Sequence, residues 1–310
     1  MKKNRSSKLL ALSAGALLVA LTGIQGAAAA VVGAGSASAH ALEVGLSAFS
    51  GNLSLSVGPL PAGVTVTAPP AGSKTDSVVS VSEQASFMPG LLSSTFAIDL
   101  ATGVLNAAAE STVDGTPGPH SSSASASVND LDFAIGTLNL LGLISSAMVD
   151  LSAGTITSNA SVTGTPGSFV ASGGAVLEDA SLSVADASIL GIGLGLGGNL
   201  VANPDPNLVI LDALGITVTL NRQRINGVAG GSCSASDCHI SVDAIALEFS
   251  DYLLGGSLLN GELVVGHSEA GLSAVPLPAA VWLFGSGLVA MLGVAGRGRP
   301  TWKTLSGGSR

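Results

Sequence analysis

The stretch GGSCSASDCHIS, residues 230–241, contains both cysteines of the chain, Cys233 and Cys238. Together with Asp237 and His239 they offer thiolate, imidazole and carboxylate groups that could bind a metal ion. Structural zinc usually has four Cys or His ligands at paired spacings, and this stretch supplies fewer. The alternative is a disulfide between Cys233 and Cys238, which suits an oxidising compartment. We predict the disulfide and no metal.

Three polar groups carry oxygen ligands of the kind that Ca²⁺ prefers. They are Asp130 with Asp132, Glu178 with Asp179, and the NPDPN segment Asn203–Asn207. None of them has the ligand spacing of a recognised calcium loop. Asp and Asn are also common turn residues, and the two prolines of NPDPN favour a plain turn. We therefore expect turns here, and we predict neither a metal nor a cofactor.

The histidines do not indicate a catalytic triad, because they are widely separated in the chain. They are His40, His120, His239 and His267. Ser268 and Glu269 follow His267 directly, but neighbouring residues of a strand point to opposite faces of the sheet. With no nucleophile, base and orienting acid recognisable together, we predict that the protein is not an enzyme.

These side chains would be positioned by β-strands, because apolar residues recur mostly at every second position. In NLSLSVGPL, for example, Leu53, Leu55 and Val57 alternate with polar residues. Short alternating runs between Gly, Pro, Asn and Asp predict an all-β domain. We expect one sandwich-like domain, with a β-solenoid as the alternative. LNLLGLISSAMVDLS, 138–152, predicts either a strand pair or a short helix, and GTPGPHSSSASAS, 115–127, predicts a long surface loop.

The charge of this domain differs sharply from that of the whole chain. Residues 40–274 contain three basic residues, Lys74, Arg222 and Arg224, against all 20 acidic ones, which gives a net charge of −17. So acidic a domain repels the phosphates of nucleic acids, and we therefore exclude nucleic-acid binding.

The N-terminus has the three parts of a secretory signal peptide. Four basic residues within the first eight precede an apolar run from Leu9 to Ile24, and small residues follow. The Ala-x-Ala pattern of a cleavage site occurs at Ala28–Ala30 and at Ala37–Ala39. We assign residues 1–39 to the signal peptide, and we expect the mature protein to begin between Val31 and His40.

The C-terminus contains a second apolar run, Ala279–Gly296, which is 18 residues long and uncharged. As a helix it would measure about 27 Å, close to the hydrocarbon thickness of a bilayer. Arg297 and Arg299 follow and should stay on the cytoplasmic side. We therefore predict a transmembrane helix over 279–296 and a short cytoplasmic tail over 300–310.

The residues before and after this run resemble the PEP-CTERM sorting signal in its VPLPA variant. The resemblance covers 275–299: the motif Val275-Pro276-Leu277-Pro278-Ala279, the apolar span, and the basic stop at Arg297 and Arg299. It implies that an exosortase processes the protein near the prolines while it is held in the inner membrane of a Gram-negative bacterium. One departure is the tail of eleven residues after Arg299, since the signal usually ends soon after its basic residues.

Several segments of 40–274 occur in a characteristic order: VGPLP and VTAPP, then LNLLGLISSAMVDLSAGTITSNASV, LGITVTLNRQ, ISVDAIALEF and finally ELVVGHSEAGL. In this order and composition they resemble the choice-of-anchor P family of bacterial surface proteins. The resemblance implies an exported β-rich domain at the cell surface or in the extracellular matrix. We expect a structural or interaction role associated with exopolysaccharide, with the secretion machinery and an exosortase as partners during sorting. The alternative is a carbohydrate-binding module or adhesin, assisted by calcium.

Overall fold

A computed structural model describes residues 30–90, 95–138, 144–184, 196–254 and 256–276, together with 287, 288 and 291. It is nearly all β, which confirms the fold class predicted from the alternation. Between residues 30 and 276 the one described helical element is a 3-10 turn at Phe49–Gly51. The strands are β1 (Ala30–Ala48), β2 (Leu53–Leu60), β3 (Val64–Ala68), β4 (Gly72–Val78), β5 (Val81–Phe87), β6 (Phe96–Thr102), β7 (Leu105–Ser111), β8 (His120–Leu138), β9 (Ile144–Thr165), β10 (Ser168–Glu178), β11 (Ser181–Val184), β12 (Leu196–Asn199), β13 (Leu208–Ala213), β14 (Ile216–Ile225), β15 (Val228–Ala229), β16 (Asp237–Leu254) and β17 (Ser257–Pro276).

The strands form two antiparallel sheets, neither of which is closed. The first sheet has the order β13-β14-β16-β17-β1-β2, with β15 beside β14 and β3 beside β1. The second has the order β12-β11-β9-β8-β6-β5, with β10 beside β9 and the pair β4-β7 attached to β8. A β-solenoid stacks its coils in parallel, so the antiparallel order of the described strands does not fit that alternative.

One apolar cluster contains residues from both sheets, so their inner faces share a core. The alternation predicted for β2 is present, with Leu53, Leu55 and Val57 buried and the residues between them exposed. Alanines supply many of the other core positions, and a second cluster forms around Val32, Val162 and Ile240. Burial of this apolar surface is the main stabilising contribution.

The long strands change their inward-facing side part-way along their length. In β8 the buried positions are even-numbered up to Val128 and odd-numbered from Leu131 to Ile135. Between them Asp130 has a φ of 50°, and Asn221 in β14 and Gly266 in β17 mark the corresponding changes with φ of 50° and 68°. Asp, Asn and Gly are the residues that tolerate this left-handed conformation best. Near these points one edge of a long strand often pairs with two short strands in succession. β6 and β7 pair in this way with β8, and β2 and β3 with β1.

One local prediction is wrong for most of its length. The serine-rich run expected to be a loop enters β8 at His120, because its period of two is carried by buried Ala124 and Ala126 rather than by large apolar residues. For 138–152, the strand-pair alternative is the right one, with β8 and β9 joined across it.

The two predicted boundaries of the domain agree with the strands to different degrees. The boundary set at residue 40 falls inside β1, which starts at Ala30, while β17 ends at Pro276. Residues 1–29 of the predicted signal peptide lie outside the described residues, as does the predicted helix 279–296 apart from residues 287, 288 and 291. Among the residues that are described, no helix is long and apolar enough to span a bilayer.

Candidate functional site

The outer face of the first sheet carries a group of charged side chains from four adjacent strands, which we call the charged network. It consists of Ser38, His40, Arg222, His239, Asp243, Glu248, Glu262, His267 and Glu269. The ladder places Arg222 of β14 opposite Asp243 of β16, and Asp243 opposite His267 of β17. Because the strands change sides at Asn221 and Gly266, Arg222 and His267 point outward instead of into the core.

Arg222 binds three carboxylates at once. Its Nε donates to Asp243 Oδ2 at 2.7 Å, Nη1 to Glu248 Oε1 at 2.5 Å, and Nη2 to Glu262 Oε1 at 2.6 Å. Burial disfavours the charged guanidinium, but attraction to Asp243 and Glu262 outweighs it and raises the pKa of Arg222. Only the branched, planar guanidinium can hold three acceptors in this way, so a lysine would not replace it.

His267 shares Asp243 with Arg222, since its Nδ1 lies 2.5 Å from Asp243 Oδ1. Burial lowers the pKa of His267, but the hydrogen bond to Asp243 and the negative charges of Asp243 and Glu269 outweigh this and raise it to about 9. The pKa of Asp243 is lowered, because contacts with His267 and Arg222 outweigh the burial that would raise it. At neutral pH His267 is therefore a cation that cannot accept a proton, which does not suit a general base.

His40 stacks on His267, with ring centroids 4.5 Å apart and an interplanar angle of 21°. Burial lowers the pKa of His40 and the charge of His267 lowers it further, to about 4. Its buried Nε2 lies 3.2 Å from Glu43 Oε2 but makes no hydrogen bond. The stacked pair thus carries a single positive charge at neutral pH, and the contact with Asp243 places this charge on His267.

Glu269 closes the network on the β1 side. It lies 2.7 Å from His239 Nε2 and accepts a hydrogen bond from Ser38 Oγ at 2.8 Å. The contact with His239, and the proximity of His267 at 4.0 Å, hold the pKa of Glu269 well below its usual range. The contact with Glu269 in turn raises the pKa of His239. Three of the four histidines that are far apart in the sequence therefore meet here.

No hydroxyl nucleophile joins His267 and Asp243 among the contacts of the described residues. Ser268 points to the opposite face, where it is fully buried and its Oγ lies 2.5 Å from Ser158 Oγ. Nor does any group of three or more His, Cys, Asp or Glu in the described part of the chain have an arrangement that could hold a metal ion. The network's geometry suits one task best, which is to join β14, β16, β17 and β1 by charge.

The predicted cysteine pair is present: the Cys233 and Cys238 sulfurs lie at bonding distance, 1.95 Å. The neighbours considered as metal ligands have other partners, since Asp237 accepts a hydrogen bond from Ser273 and His239 contacts Glu269. The loop closed by the disulfide also reaches the β9–β10 turn, where Gly167 N donates to Ala235 O at 2.8 Å.

The acidic residues considered for Ca²⁺ have structural roles or stand beside other carboxylates. Asp130 is the residue at which β8 changes sides, and Asp132 lies across the sheet near Asp99 and Asp150. Burial raises the pKa of Asp132, and the charges of Asp150 and Asp99 raise it further. Asp179 has a φ of 52°, as expected for a turn residue.

The NPDPN segment is a turn bound to β14, as the prolines predict. Asn221 Nδ2 donates to Pro204 O at 2.8 Å, and Gln223 N donates to Asn207 Oδ1 at 2.9 Å. Asn207 has a φ of 59°, which Asn tolerates better than most residues. The polar groups of this segment therefore hold the chain on the strand.

The outer face of the second sheet is different, because it contains a shallow depression of about 650 Å³ that we call the serine groove. It crosses β4, β7, β8 and β9, and a cavity of about 300 Å³ adjoins it. Small outward side chains leave this space: the hydroxyl and amide groups lining it include Thr75, Ser77, Asn106, Ser125, Ser127 and Asn159. Asp76 is the one charged residue of its lining, and none of the lining residues is aromatic.

Sequence reasoning missed both surfaces. The only signal for the network was the presence of polar residues, such as Asp243 and His267, inside otherwise apolar runs. Of the predicted sorting motif, Val275 and Pro276 end β17 and Val275 is half-exposed, whereas Leu277, Pro278, Ala279, Arg297 and Arg299 lie outside the described residues.

No protein-family model matches this chain, and neither a curated protein nor a solved structure matches it. The likeness to the PEP-CTERM signal and to the choice-of-anchor P family therefore stays a prediction from the motif and the strand sequences.

Proposed function

We propose that this chain is an exported surface or extracellular-matrix protein with an interaction role, and that its serine groove binds exopolysaccharide. Its sandwich domain lies between a signal peptide and a C-terminal membrane span, and an exosortase removes that span after sorting. The observation that carries the ligand class is the lining of the groove, with hydroxyls and amides exposed side by side on adjacent strands. Such groups exchange hydrogen bonds with sugar hydroxyls at little conformational cost, because strands hold them rigidly.

The ligand we expect is a neutral polysaccharide. A domain with 20 acidic and three basic residues repels uronates and other anionic sugars. The groove itself contains a single carboxylate, that of Asp76, so neutral chains meet no such barrier there. Without an aromatic platform, each contact between the groove and a sugar is weak. We therefore expect strong attachment only where one long polysaccharide binds several protein molecules at once.

Affinity electrophoresis of the protein exported from the full-length gene tests this function. We expect gels containing neutral dextran or galactomannan to retard the protein, and gels containing alginate not to do so. Asn159→Arg places a long charged side chain in the groove and should abolish the retardation. The matched control is Thr163→Arg, at an exposed position on the same strand and the same face but outside the groove lining.

Equal retardation of both variants, or no retardation by any polymer, would contradict binding in the groove. Retardation that requires Ca²⁺ and disappears in Asp132→Asn would favour the calcium-assisted adhesin instead.

The sorting part of the proposal is tested by the mass of the protein at the cell surface. We expect it to lack residues from about Ala280 onward, and hence both tryptophans, Trp282 and Trp302. Replacing Arg297 and Arg299 with Glu should leave an unprocessed precursor, because the basic residues orient the span. A surface protein that keeps Trp282 through Arg310 would show that the span is a permanent anchor.

A further inference from the structure

The position of signal-peptide cleavage can be chosen from the fold, provided that the chain is exported as proposed above. Two Ala-x-Ala triplets compete, Ala28–Ala30 and Ala37–Ala39. Both have the small residues that signal peptidases require before the cleaved bond, so the sequence alone leaves them equal. They differ in what each cut removes, because residues 31–39 belong to β1.

Residues 31–39 carry the ladder that holds β3. Gly35–Ala39 pair with Val64–Ala68, residue for residue, and β1 is the only pairing partner of β3 among the described strands. Val32, Ala37 and Ala39 are at most 4% exposed. A cut after Ala39 would therefore leave β3 without its ladder and expose its apolar side.

The same segment also packs between the sheets and against the last strand. A side chain at Gly35 would overlap the Ser111 hydroxyl, and a side chain at Gly33 would overlap Val275 in β17. Ser38 donates to Glu269 in the charged network. Residues of the second sheet, of the first sheet and of the network thus all contact a segment that the later cut would discard.

We propose that a signal peptidase hydrolyses the Ala30–Val31 bond, so that the mature protein begins at Val31. Water supplies the hydroxyl that forms the carboxyl group of Ala30 and the proton that forms the amino group of Val31, and no other reactant is needed. Ala28 and Ala30 provide the small side chains at the third and first positions before the bond. The domain then keeps the whole of β1 after its first residue.

The test is the N-terminal sequence and intact mass of protein exported by a Gram-negative host from the full-length gene. The expected N-terminus is Val31, nine residues earlier than the His40 start left by the other cut. Recovery of a chain starting at His40 would overturn this inference and leave export intact. Recovery of a chain that still carries residues 1–30 would instead contradict export, and with it the proposed function.

Two variants separate the choice of site from its structural reason. With Ala28→Leu and Ala30→Leu together, we expect uncleaved precursor to accumulate, and a stable product that starts at His40 would overturn the inference. Deleting residues 31–39 joins Ala30 directly to His40 and keeps the first cleavage site. We expect the exported product of this deletion to be degraded, because β3 has lost its ladder. A product as resistant to urea as the normal one would show that the domain does not need residues 31–39, and it would remove the structural basis for the earlier cut.

Discussion

The charged network and the serine groove occupy the outer faces of the two sheets, and they use polar side chains in opposite ways. In the network, Arg222 and Asp243 are largely buried and each contacts more than one partner within the protein. In the groove, exposed side chains such as Ser125 and Asn159 face solvent. The first surface has little left to offer a ligand, whereas the second has little effect on stability. Polar residues on a sheet thus indicate binding only when their partners are not already in the protein.

Asp243→Ala should have the largest effect, because it leaves Arg222 and His267 as charges without their shared partner. Removing one member of a buried ion pair typically costs 3–5 kcal/mol, and we expect about 3 kcal/mol of the free energy of unfolding to be lost. Urea denaturation of the exported protein measures it.

The matched control is Glu248→Ala, which removes a carboxylate that also binds Arg222 but is 46% exposed. Exposed pairs contribute at most about 1 kcal/mol, so this variant should stay close to the unaltered protein. Similar losses in the two variants would show that the buried Asp243 contributes no more to stability than an exposed carboxylate.

The pH dependence of stability should reveal the two stacked histidines. His267 has a folded pKa of about 9, above that of a free histidine, so its contribution is complete below pH 6.5 and lost as the pH rises through 9. His40 has a folded pKa of about 4, so its contribution is complete above pH 6.5 and lost as the pH falls through 4. Stability should therefore be greatest near pH 6.5, with each contribution about 2 kcal/mol once solvent screening is allowed for.

Variants of the two histidines show which of them causes the loss of stability on each side of the pH optimum. His267→Asn should flatten the decline on the alkaline side, and His40→Asn the decline between pH 6.5 and 4. The check is the free energy of unfolding in urea from pH 4 to 9. Curves with unchanged slopes in both variants would rule out the stacked pair as the origin.

Removing the disulfide should lower the free energy of unfolding by less than Asp243→Ala does, because the loop that it closes is short. Cys233 and Cys238 are separated by five positions, and closure of so small a loop contributes about 2 kcal/mol in the chain-entropy description. The double variant Cys233→Ala, Cys238→Ala should remain folded, with faster hydrogen exchange at the Gly167 amide that bonds Ala235 O. Unchanged exchange at Gly167 would mean that the bridge does not order the loop.

The sequence was sufficient where a pattern is local. The alternation of Leu53, Leu55 and Val57 predicts a strand with one buried side, and the cysteine pair follows from the compartment and the absence of enough zinc ligands. Both features are formed by residues close together in the chain, which is why a local pattern was enough to predict them.

The network could not be predicted in the same way, because its members come from strands far apart in the chain. A strict alternation of inward and outward residues also gives the wrong answer, because the strands change sides at Asn221 and Gly266. An unbroken alternation from the buried Leu220 would place Arg222 in the core. The groove was hidden for a different reason. Its serines favour a loop in the sequence, because Ala124 and Ala126 are weak indicators of a buried strand face.

The smallest effect on stability is expected in the groove, where it sharpens the contrast with the network. Ser125→Ala, Ser127→Ala and Asn159→Ala combined remove hydroxyl and amide groups on the outer face, and among them only Ser127 accepts a described side-chain hydrogen bond, from Asn106. Substitutions of this kind usually change the free energy of unfolding by less than about 0.5 kcal/mol each. Retardation by neutral polysaccharide should nevertheless be lost, because the groups that exchange hydrogen bonds with the sugar are gone. Asp243→Ala should show the reverse, with reduced stability but normal retardation under folding conditions. If the triple variant loses stability and keeps binding, the two faces do not divide these tasks.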